Sequence, residues 1–476
     1  MSEILWTNSD LSEALQTPVQ TQLQITGVSI DSRKIKPGDL FIALKGPNFD
    51  GHNFLADAAS KGAVAAIVEK PGDAPASLTQ ISVRNAEAAL TALGKFARKR
   101  FTGKIIGVTG SVGKTGTKEA LAHILSRQGK TFANEGNLNN HLGVPLSLSR
   151  MPRDAAFAII EMGMNHPGEI APLSELCEPF VGIVTAVSPA HIEFFPNGLE
   201  GIADEKAQIV AGMNSQSVAI FNRDTPLFER MSGHAAARKI GRVIGFGKDP
   251  LAQARLLNCN LHAASSDIEA DILGQKLSYT LNIPGLHIAM NSLAVLAAAQ
   301  SVGADIAKAA KDLADLRPTS GRGLRRQIAI PGGEIELIDE SYNASPDAMR
   351  GALDVLSRAQ IMPNARRIAV LGDMRELGTH SVELHTGLAP AILAANPDLV
   401  MLCGPYMAHL HPLIMANIKT QYAPDSATLA AFVTSTVKPG DVVMVKGSLG
   451  TKMRVIIEAL DNLRPTLIPL PLVGRG

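Results

Sequence analysis

The sequence predicts an α/β protein of three domains: a small N-terminal α/β unit, a central phosphate-loop domain on a doubly wound parallel sheet, and a C-terminal α/β unit. Three observations lead there. The chain has 476 residues, more than one hydrophobic core accommodates, so several domains are expected. Short apolar runs recur with helical lengths between them, as in strands covered on both faces of a parallel sheet. One of those runs opens into a glycine-rich turn that ends in Gly-Lys-Thr.

Along the chain, residues 22–70 alternate apolar runs with turn signals. "DSRKIKPGDLFIALKG" reads as loop, Pro-Gly turn and strand, and "FLADAASKGAVAAIVEK" as helix, glycine stop and strand. A helix is expected over 86–100, and its basic end, "KFARKRFTGK", marks a boundary, giving a first domain of 1–102. Strands are expected at 104–110, 155–163, 181–188, 217–224 and 242–247, with a helix at 291–303. "LRPTSGRG" at 316–323 breaks that pattern, which sets the second domain at 103–316 and the third at 317–476. Strands of the third domain are expected at 334–341, 366–374, 398–404 and 441–448. The proline-rich end, "RPTLIPLPLVGRG", reads as irregular.

Composition narrows the function. Hydrophobic residues make up 46% and charged residues 19%, the balance of a soluble globular protein. Aromatics are only 4%, so aliphatic side chains must fill the cores. A formal net charge of +1 argues against nucleic acid or a membrane surface as partner. Cys177, Cys259 and Cys403 lie too far apart for a zinc motif and form no disulfide framework, which fits a reducing compartment. The N-terminus has no signal-peptide pattern, and no apolar stretch reaches the roughly 18 residues of a membrane span. A cytoplasmic location is expected.

The chemistry centres on "GVTGSVGKTGTKE" (107–119). It follows a strand and enters a helix, the context in which backbone N–H groups and the helix dipole hold phosphate. Lys114 is placed to reach the β- and γ-phosphates, and the Thr115 hydroxyl to meet Mg²⁺. A glycine-rich turn without ligand is the plainer alternative, but strand, Gly-Lys-Thr and helix all agree with the phosphate reading. Two further residues stand after strands, where open α/β sheets place ligands. Glu161 ends "AAFAIIEMG" and His191 follows "VTAVSPAH". Taken singly, Glu161 caps a helix and His191 packs in a loop; their places along one sheet favour a cation or phosphate role. Lys206, in "EGIADEKAQIV", reads on residues alone as a solvated helix face. "GNLNNHLGVPLSL" (136–148) offers Asn137, Asn139 and Asn140, suited to polar substrate recognition or to an Asn-rich turn. "DESYNASPDAM" (339–349), "LGDMRELG" (371–378) and "KGS" (446–448) follow strands of the third unit. They form either loops aimed at a shared cleft or ordinary βα turns.

Together these stretches resemble the Mur ligases, the ATP-dependent amide-forming enzymes of peptidoglycan precursor synthesis. The matching pieces run in order through nearly the whole chain. The family's loop, Gly-x-x-Gly-Lys-Thr, is satisfied by Gly110–Thr115. The resemblance implies an N-terminal domain for the UDP-sugar end, a central ATP domain, and a Rossmann-like C-terminal domain for the incoming amine. Among the family's activities, the motifs resemble most those for joining D-alanyl-D-alanine to a UDP-N-acetylmuramoyl-tripeptide through an acyl phosphate. Other amino-acid-adding members and folate polyglutamate ligases are the near alternatives, and a P-loop regulatory ATPase the distant one.

The resemblance also implies site residues. Gly110, Ser111, Gly113, Lys114, Thr115 and Gly116 would hold the phosphates of ATP, His287 and Asn291 its adenine side, and Arg322, Asp339 and Glu340 its phosphate and ribose. Thr115, Glu161, His191 and Lys206 would hold two Mg²⁺ ions, with Lys206 carbamylated, and Lys114, His191 and Lys206 would be catalytic. Ser32, Arg33, Gly46 and His52 would contact the uridine end. Asn137, Asn139, Asn140, Tyr342, Asn343 and Lys446 would contact the remaining substrate. This chain carries Gly116 where a second hydroxyl residue is common, Leu286 and Ile288 in place of polar residues, and Leu449 in place of Arg. A monomer is expected.

Overall fold

The computed structural model describes residues 3–463, and the proline-rich end lies outside the described residues. Three separate larger sheets carry the chain. The first is parallel throughout, in the order Gly27–Ser29, Asp39–Ile42, Ala65–Val68 and Thr79–Ser82. The helix Ala86–Arg100 covers it with Ala86, Ala89, Leu90, Leu93 and Ala97, an apolar stripe at three- and four-residue spacing. Asn85 caps its start by accepting from Ala88 N. Arg98, Lys99 and Arg100 end it, where positive charge complements the helix dipole.

That helix also joins the first domain to the second. Gly94 lies against Pro145, so close that a Cβ would stand 3.0 Å from Pro145 Cα. Arg98 Nε donates to Cys177 O at 2.8 Å, and Arg150 Nε donates across the junction to Val28 O at 2.6 Å. Trp6 is fully buried in the same seam. Its Nε1 donates to Ser149 O at 2.8 Å, and the Arg100 guanidinium lies 4.1 Å from its ring centre.

The central sheet has nine strands. From one edge they run Gln275–Leu281, Ser266–Ile272, Ala254–Leu261, Arg242–Gly247, Val218–Asn222, Val181–Val184, Lys104–Thr109, Phe157–Glu161 and Thr131–Ala133. The expected strands all lie in its parallel part. The sheet continues beyond them into an antiparallel meander over residues 254–281. Its strands alternate buried and exposed residues, as in Ser266–Ile272, where only every second side chain is covered, so no continuous apolar run announces them. The helix Leu286–Ser301, buried over most of its surface, covers that face.

The C-terminal sheet has the order Leu324–Ile330, Gly333–Glu340, Val442–Lys446, Arg367–Gly372, Leu399–Cys403 and Thr420–Ala423. The first pair is an antiparallel hairpin and the other neighbours are parallel. Among the described residues no helix is long and apolar enough to cross a membrane.

Candidate active site

Register brings the first catalytic candidates together. The strand Lys104–Thr109 lies between two parallel neighbours, with Val108 opposite Glu161 and Thr109 opposite Val184. Their carboxyl ends therefore open on one edge, where ligands bind in such sheets. The phosphate loop follows Thr109. Gly110 has φ +148°, and a Cβ there would stand 1.9 Å from Thr185 Oγ1. Gly113 has φ +88° and begins the helix Lys114–Ser126; its Cβ would stand 2.4 Å from Asn291 Nδ2. Both positions need glycine, for conformation and for space. Thr185 Oγ1 donates to Val112 O at 2.6 Å, and Ser111 N donates to Ala186 O at 2.8 Å. These bonds shape the loop from within the protein. Gly110→Ala is expected to lower the thermal midpoint, at a cost of about 1–3 kcal/mol from strain, and to weaken ATP binding by calorimetric titration.

Behind the loop lies a set of buried charges. Lys114 Nζ donates to Gly110 O at 2.6 Å. Burial holds its pKa below the usual lysine range against the pull of Glu161, and Arg322 pushes the same way as burial. Thr115 Oγ1 donates to Glu161 Oε2 at 2.9 Å, and Asn139 Nδ2 to Glu161 Oε1 at 2.8 Å. Asn134 fixes the same strand end: its Oδ1 accepts from Glu161 N at 2.9 Å.

His191 stands at φ +62°. Burial, then Lys114 and Lys206, push its pKa down to about 4, so the ring is neutral at neutral pH and keeps a lone pair. Its Nδ1 meets Glu376 Oε2 of the C-terminal domain. Lys206 is 1% exposed. Burial, helped by Lys114, lowers its pKa far below the lysine range, with Glu205 opposing. Burial of this kind favours the neutral amine over the ammonium.

Among the described residues no cluster of three or more His, Cys, Asp or Glu side chains has metal-site geometry. The donors here are of another kind: a hydroxyl and a carboxylate in contact, and a neutral imidazole. The hydroxyl and the carboxylate are hard oxygen donors, which fit Mg²⁺, an ion that keeps waters and takes few protein ligands; the imidazole adds a nitrogen donor.

The opposite wall comes from the C-terminal domain. Asp339 Oδ2 accepts from Gly321 N at 2.9 Å, while its Oδ1 accepts from Ser341 Oγ at 2.6 Å. It clamps the connecting segment 319–323 onto the strand Gly333–Glu340. Arg322 then reaches out over the Tyr342 ring, 4.3 Å from its centre. Lys446 Nζ donates to Glu340 Oε2 at 2.9 Å and to Asn343 O at 3.1 Å, a consequence of Glu340 pairing with Lys446 across the sheet. His287 projects from the start of the helix Leu286–Ser301. Gly285 and Gly351 leave room for its ring, each so close that a Cβ would come within about 3 Å of it.

These walls enclose a cleft of about 1250 Å³. Ser111, Gly113, Lys114, Thr115, Gly116, Asn137, Asn139, Asn140, Glu161 and His191 line it from the central domain. His287, Asn291, Arg322, Glu340, Tyr342, Asn343 and Lys446 complete it, with Leu286, Ile288 and Leu449. Gly110, Lys206 and Asp339 stand behind the lining. Ser32, Arg33, Gly46 and His52 lie apart from it, in the N-terminal domain.

All four are bonded within their own domain: Lys61 Nζ donates to Ser32 O at 3.1 Å and Gly46 N to Phe49 O at 2.8 Å. Arg33 forms a two-pronged pair with Asp31 at 2.9 Å. His52 uses both ring nitrogens: Nδ1 meets Asp50 Oδ1 at 2.6 Å and Nε2 accepts from Glu69 N at 2.9 Å. His52 therefore ties a turn to its strand in this arrangement. Sequence reasoning missed Thr185, Asn134 and Glu376. Thr185 sits inside an apolar run, and Asn134 lies just beyond the strand Thr131–Ala133. Glu376 had a signal in "GDMRELG", but nothing in sequence ties it to His191.

Three family models match the chain: the Mur ligase family catalytic domain over residues 24–99, the Mur ligase middle domain over 108–299, and the Mur ligase glutamate ligase domain over 325–449. A UDP-N-acetylmuramoyl-tripeptide–D-alanyl-D-alanine ligase of Rickettsia prowazekii is 34% identical, over 96% of this chain and 99% of its own length. The same-named protein of Escherichia coli is 33% identical, over 96% and 98%. Among solved structures, MurF from Acinetobacter baumannii superposes with a TM-score of 0.83 at 30% identity, covering 96% of this chain and 99% of that one. MurF ligase from Thermotoga maritima in complex with ADP gives 0.73 at 28% identity, covering 92% and 97%.

Proposed function

This chain belongs to the Mur ligase family, and from that membership we propose that it joins D-alanyl-D-alanine to UDP-N-acetylmuramoyl-tripeptide at the cost of ATP. It is an ATP-dependent amide-forming ligase of peptidoglycan precursor synthesis. The observation that carries the reading is convergence: Lys114, the Thr115–Glu161 pair, Arg322 and Lys446 meet in one cleft from two domains.

The chemistry explains why such a set is needed. A carboxylate is a poor electrophile at neutral pH, so the tripeptide's terminal carboxylate must first take the γ-phosphoryl group. Two anions meet in that step, and Lys114 and Arg322 offset their repulsion. The dipeptide amine then attacks the acyl phosphate, forming the amide and releasing phosphate. Mg²⁺, when bound, would neutralise charge on the transferring phosphoryl oxygens. Two such ions would be held by Thr115, Glu161, His191 and Lys206 as its carbamate.

Ser111, Gly113 and Gly116 cradle the phosphates with Gly110 behind them, His287 and Asn291 face the base, and Glu340, with Asp339 behind it, the ribose. Asn137, Asn139 and Asn140 take the tripeptide end, and Tyr342, Asn343 and Lys446 the dipeptide. Ser32, Arg33, Gly46 and His52 take the uridine end of the long substrate. The domains run 1–102, 103–316 and 317–476, and the enzyme works as a cytoplasmic monomer.

The test is phosphate release by the purified protein with Mg-ATP and the UDP-tripeptide, with and without D-alanyl-D-alanine. Release that requires both acceptors, with a pentapeptide product by mass, is the expected result. Release with neither would point instead to a regulatory ATPase. Turnover with another amine alone would keep the family and change the acceptor.

A further inference from the structure

At Ala133, opposite Ile159, the edge strand Thr131–Ala133 leaves the central sheet, while its neighbour runs on to Glu161. Asn134, 1% exposed, continues the pairing with its side chain. Its Oδ1 accepts from Glu161 N at 2.9 Å, and its Nδ2 donates to Glu161 O at 3.2 Å. These bonds satisfy main-chain groups that the ladder no longer serves. The same Nδ2 donates to Leu138 O at 2.9 Å. The carbonyl of Asn134 accepts from Lys118 Nζ at 2.7 Å. Lys118 is also 1% exposed and stands on the helix Lys114–Ser126 that opens at the phosphate loop. A buried ammonium needs such an acceptor.

The chain released at Asn134 forms the loop 135–142. Leu138 and Leu142 pack on the core of the first domain. A Cβ at Gly143 would stand 2.4 Å from Leu138 C, so the loop has no slack there. Asn139 returns to the same strand end: its Nδ2 donates to Glu161 Oε1 at 2.8 Å, and its O accepts from Gly163 N at 2.8 Å. Asn137 keeps an exposed side chain on the cleft.

We infer that Asn134 is a positioning residue for the proposed reaction: braced by Lys118, it holds the loop 135–142 in register with Glu161 and so sets where the tripeptide end lies relative to the phosphate loop. The inference rests on the reading that this loop takes the tripeptide end. The need is geometric. Transfer requires the acceptor oxygen within about 3–3.5 Å of the phosphorus, in line with the leaving group. The uridine end of the same long substrate is taken by the first domain, so a shift of the loop passes directly to the reacting carboxylate.

The test compares the full-length wild type with Asn134→Ala, Lys118→Met and Asn137→Ala. Steady-state constants are measured for all three substrates, with the affinity for UDP-tripeptide alone taken by calorimetric titration and the thermal midpoint followed alongside. Asn134→Ala is expected to lower kcat/KM for UDP-tripeptide by about 10–100-fold, the cost of misplacing a reacting group by about an ångström. Its affinity for UDP-tripeptide should weaken, while the KM values for ATP and D-alanyl-D-alanine stay near wild type. Lys118→Met should shift the same constants in the same direction, and it carries the comparison should Asn134→Ala fail to fold. Unchanged UDP-tripeptide affinity in these variants, or equal changes for all three substrates, would overturn the inference while Asn137→Ala still binds UDP-tripeptide poorly. Normal UDP-tripeptide binding by Asn137→Ala would remove the reading of the loop itself, and the inference with it.

Discussion

Lys114→Ala is expected to reduce ATP-dependent turnover by about 10³-fold or more, the scale seen when a transition-state cation is removed from phosphoryl or acyl transfer. Lys114 begins the helix that opens on the cleft, and its amine reaches back to Gly110 O at 2.6 Å. That places it within the loop where phosphate oxygens gather. Among the described residues no other lysine stands on the loop, and Arg322 and Lys446 approach from the far wall. Lys114 is therefore the side-chain cation that the loop itself supplies. Alanine is a good helix former, and the lost side chain fills no core, so the variant should fold with an unchanged thermal midpoint. The measurement is single-turnover phosphate release alongside that midpoint. Near-normal turnover would remove the phosphate loop from the mechanism.

The second large effect is expected at Lys206. Its amine is buried, and burial with Lys114 beside it holds its pKa well below the lysine range, which favours the neutral form that adds CO₂. On carbamylation the nitrogen would form a bond to carbon, a proton would leave to solvent, and an anionic carbamate would result. The change inverts the local electrostatics. A buried ammonium would repel both Lys114 and a cation, whereas a carbamate attracts both. Lys206→Ala is expected to lose about 10²-fold or more in kcat, in line with removal of an electrostatic group from such a site. Formate or acetate should restore part of it by supplying the missing carboxylate. The enzyme in CO₂-depleted buffer should lose activity and regain it with bicarbonate. A fully active Lys206→Ala variant without additives would sink the carbamate.

The two lysines differ in how they could be found. Lys114 was legible because its motif fixes its neighbours: a strand before, a helix after, and glycines where side chains would collide with Thr185 and Asn291. Glu161 was legible because it ends an apolar run in the same sheet. Lys206 was not legible from residues alone. "EGIADEKAQIV" has the look of a solvated helix, and its burial arises only when Gly198–Ala207 packs between other elements. The resemblance supplied what periodicity could not.

The fold divides the same way. Continuous apolar runs announced most of the parallel strands, because both of their faces are covered, but not the edge strands Thr131–Ala133 and Thr420–Ala423. The antiparallel meander over residues 254–281 went unseen, because one of its faces meets solvent and its apolar residues come singly. The junction of His191 with Glu376 is a tertiary fact with no local signature at all.

The chain contains one tryptophan, and the fold has put it in the seam between the first and second domains, under the Arg100 guanidinium. The protein thus carries a single indole, and it lies outside the residues that line the cleft. Its emission is tuned by the packing of that junction. Tryptophan emission reads out the loss of that seam and of the N-terminal core around Trp6, while calorimetry sees the whole molecule. Any gap between the two traces measures how far the C-terminal domain melts on its own.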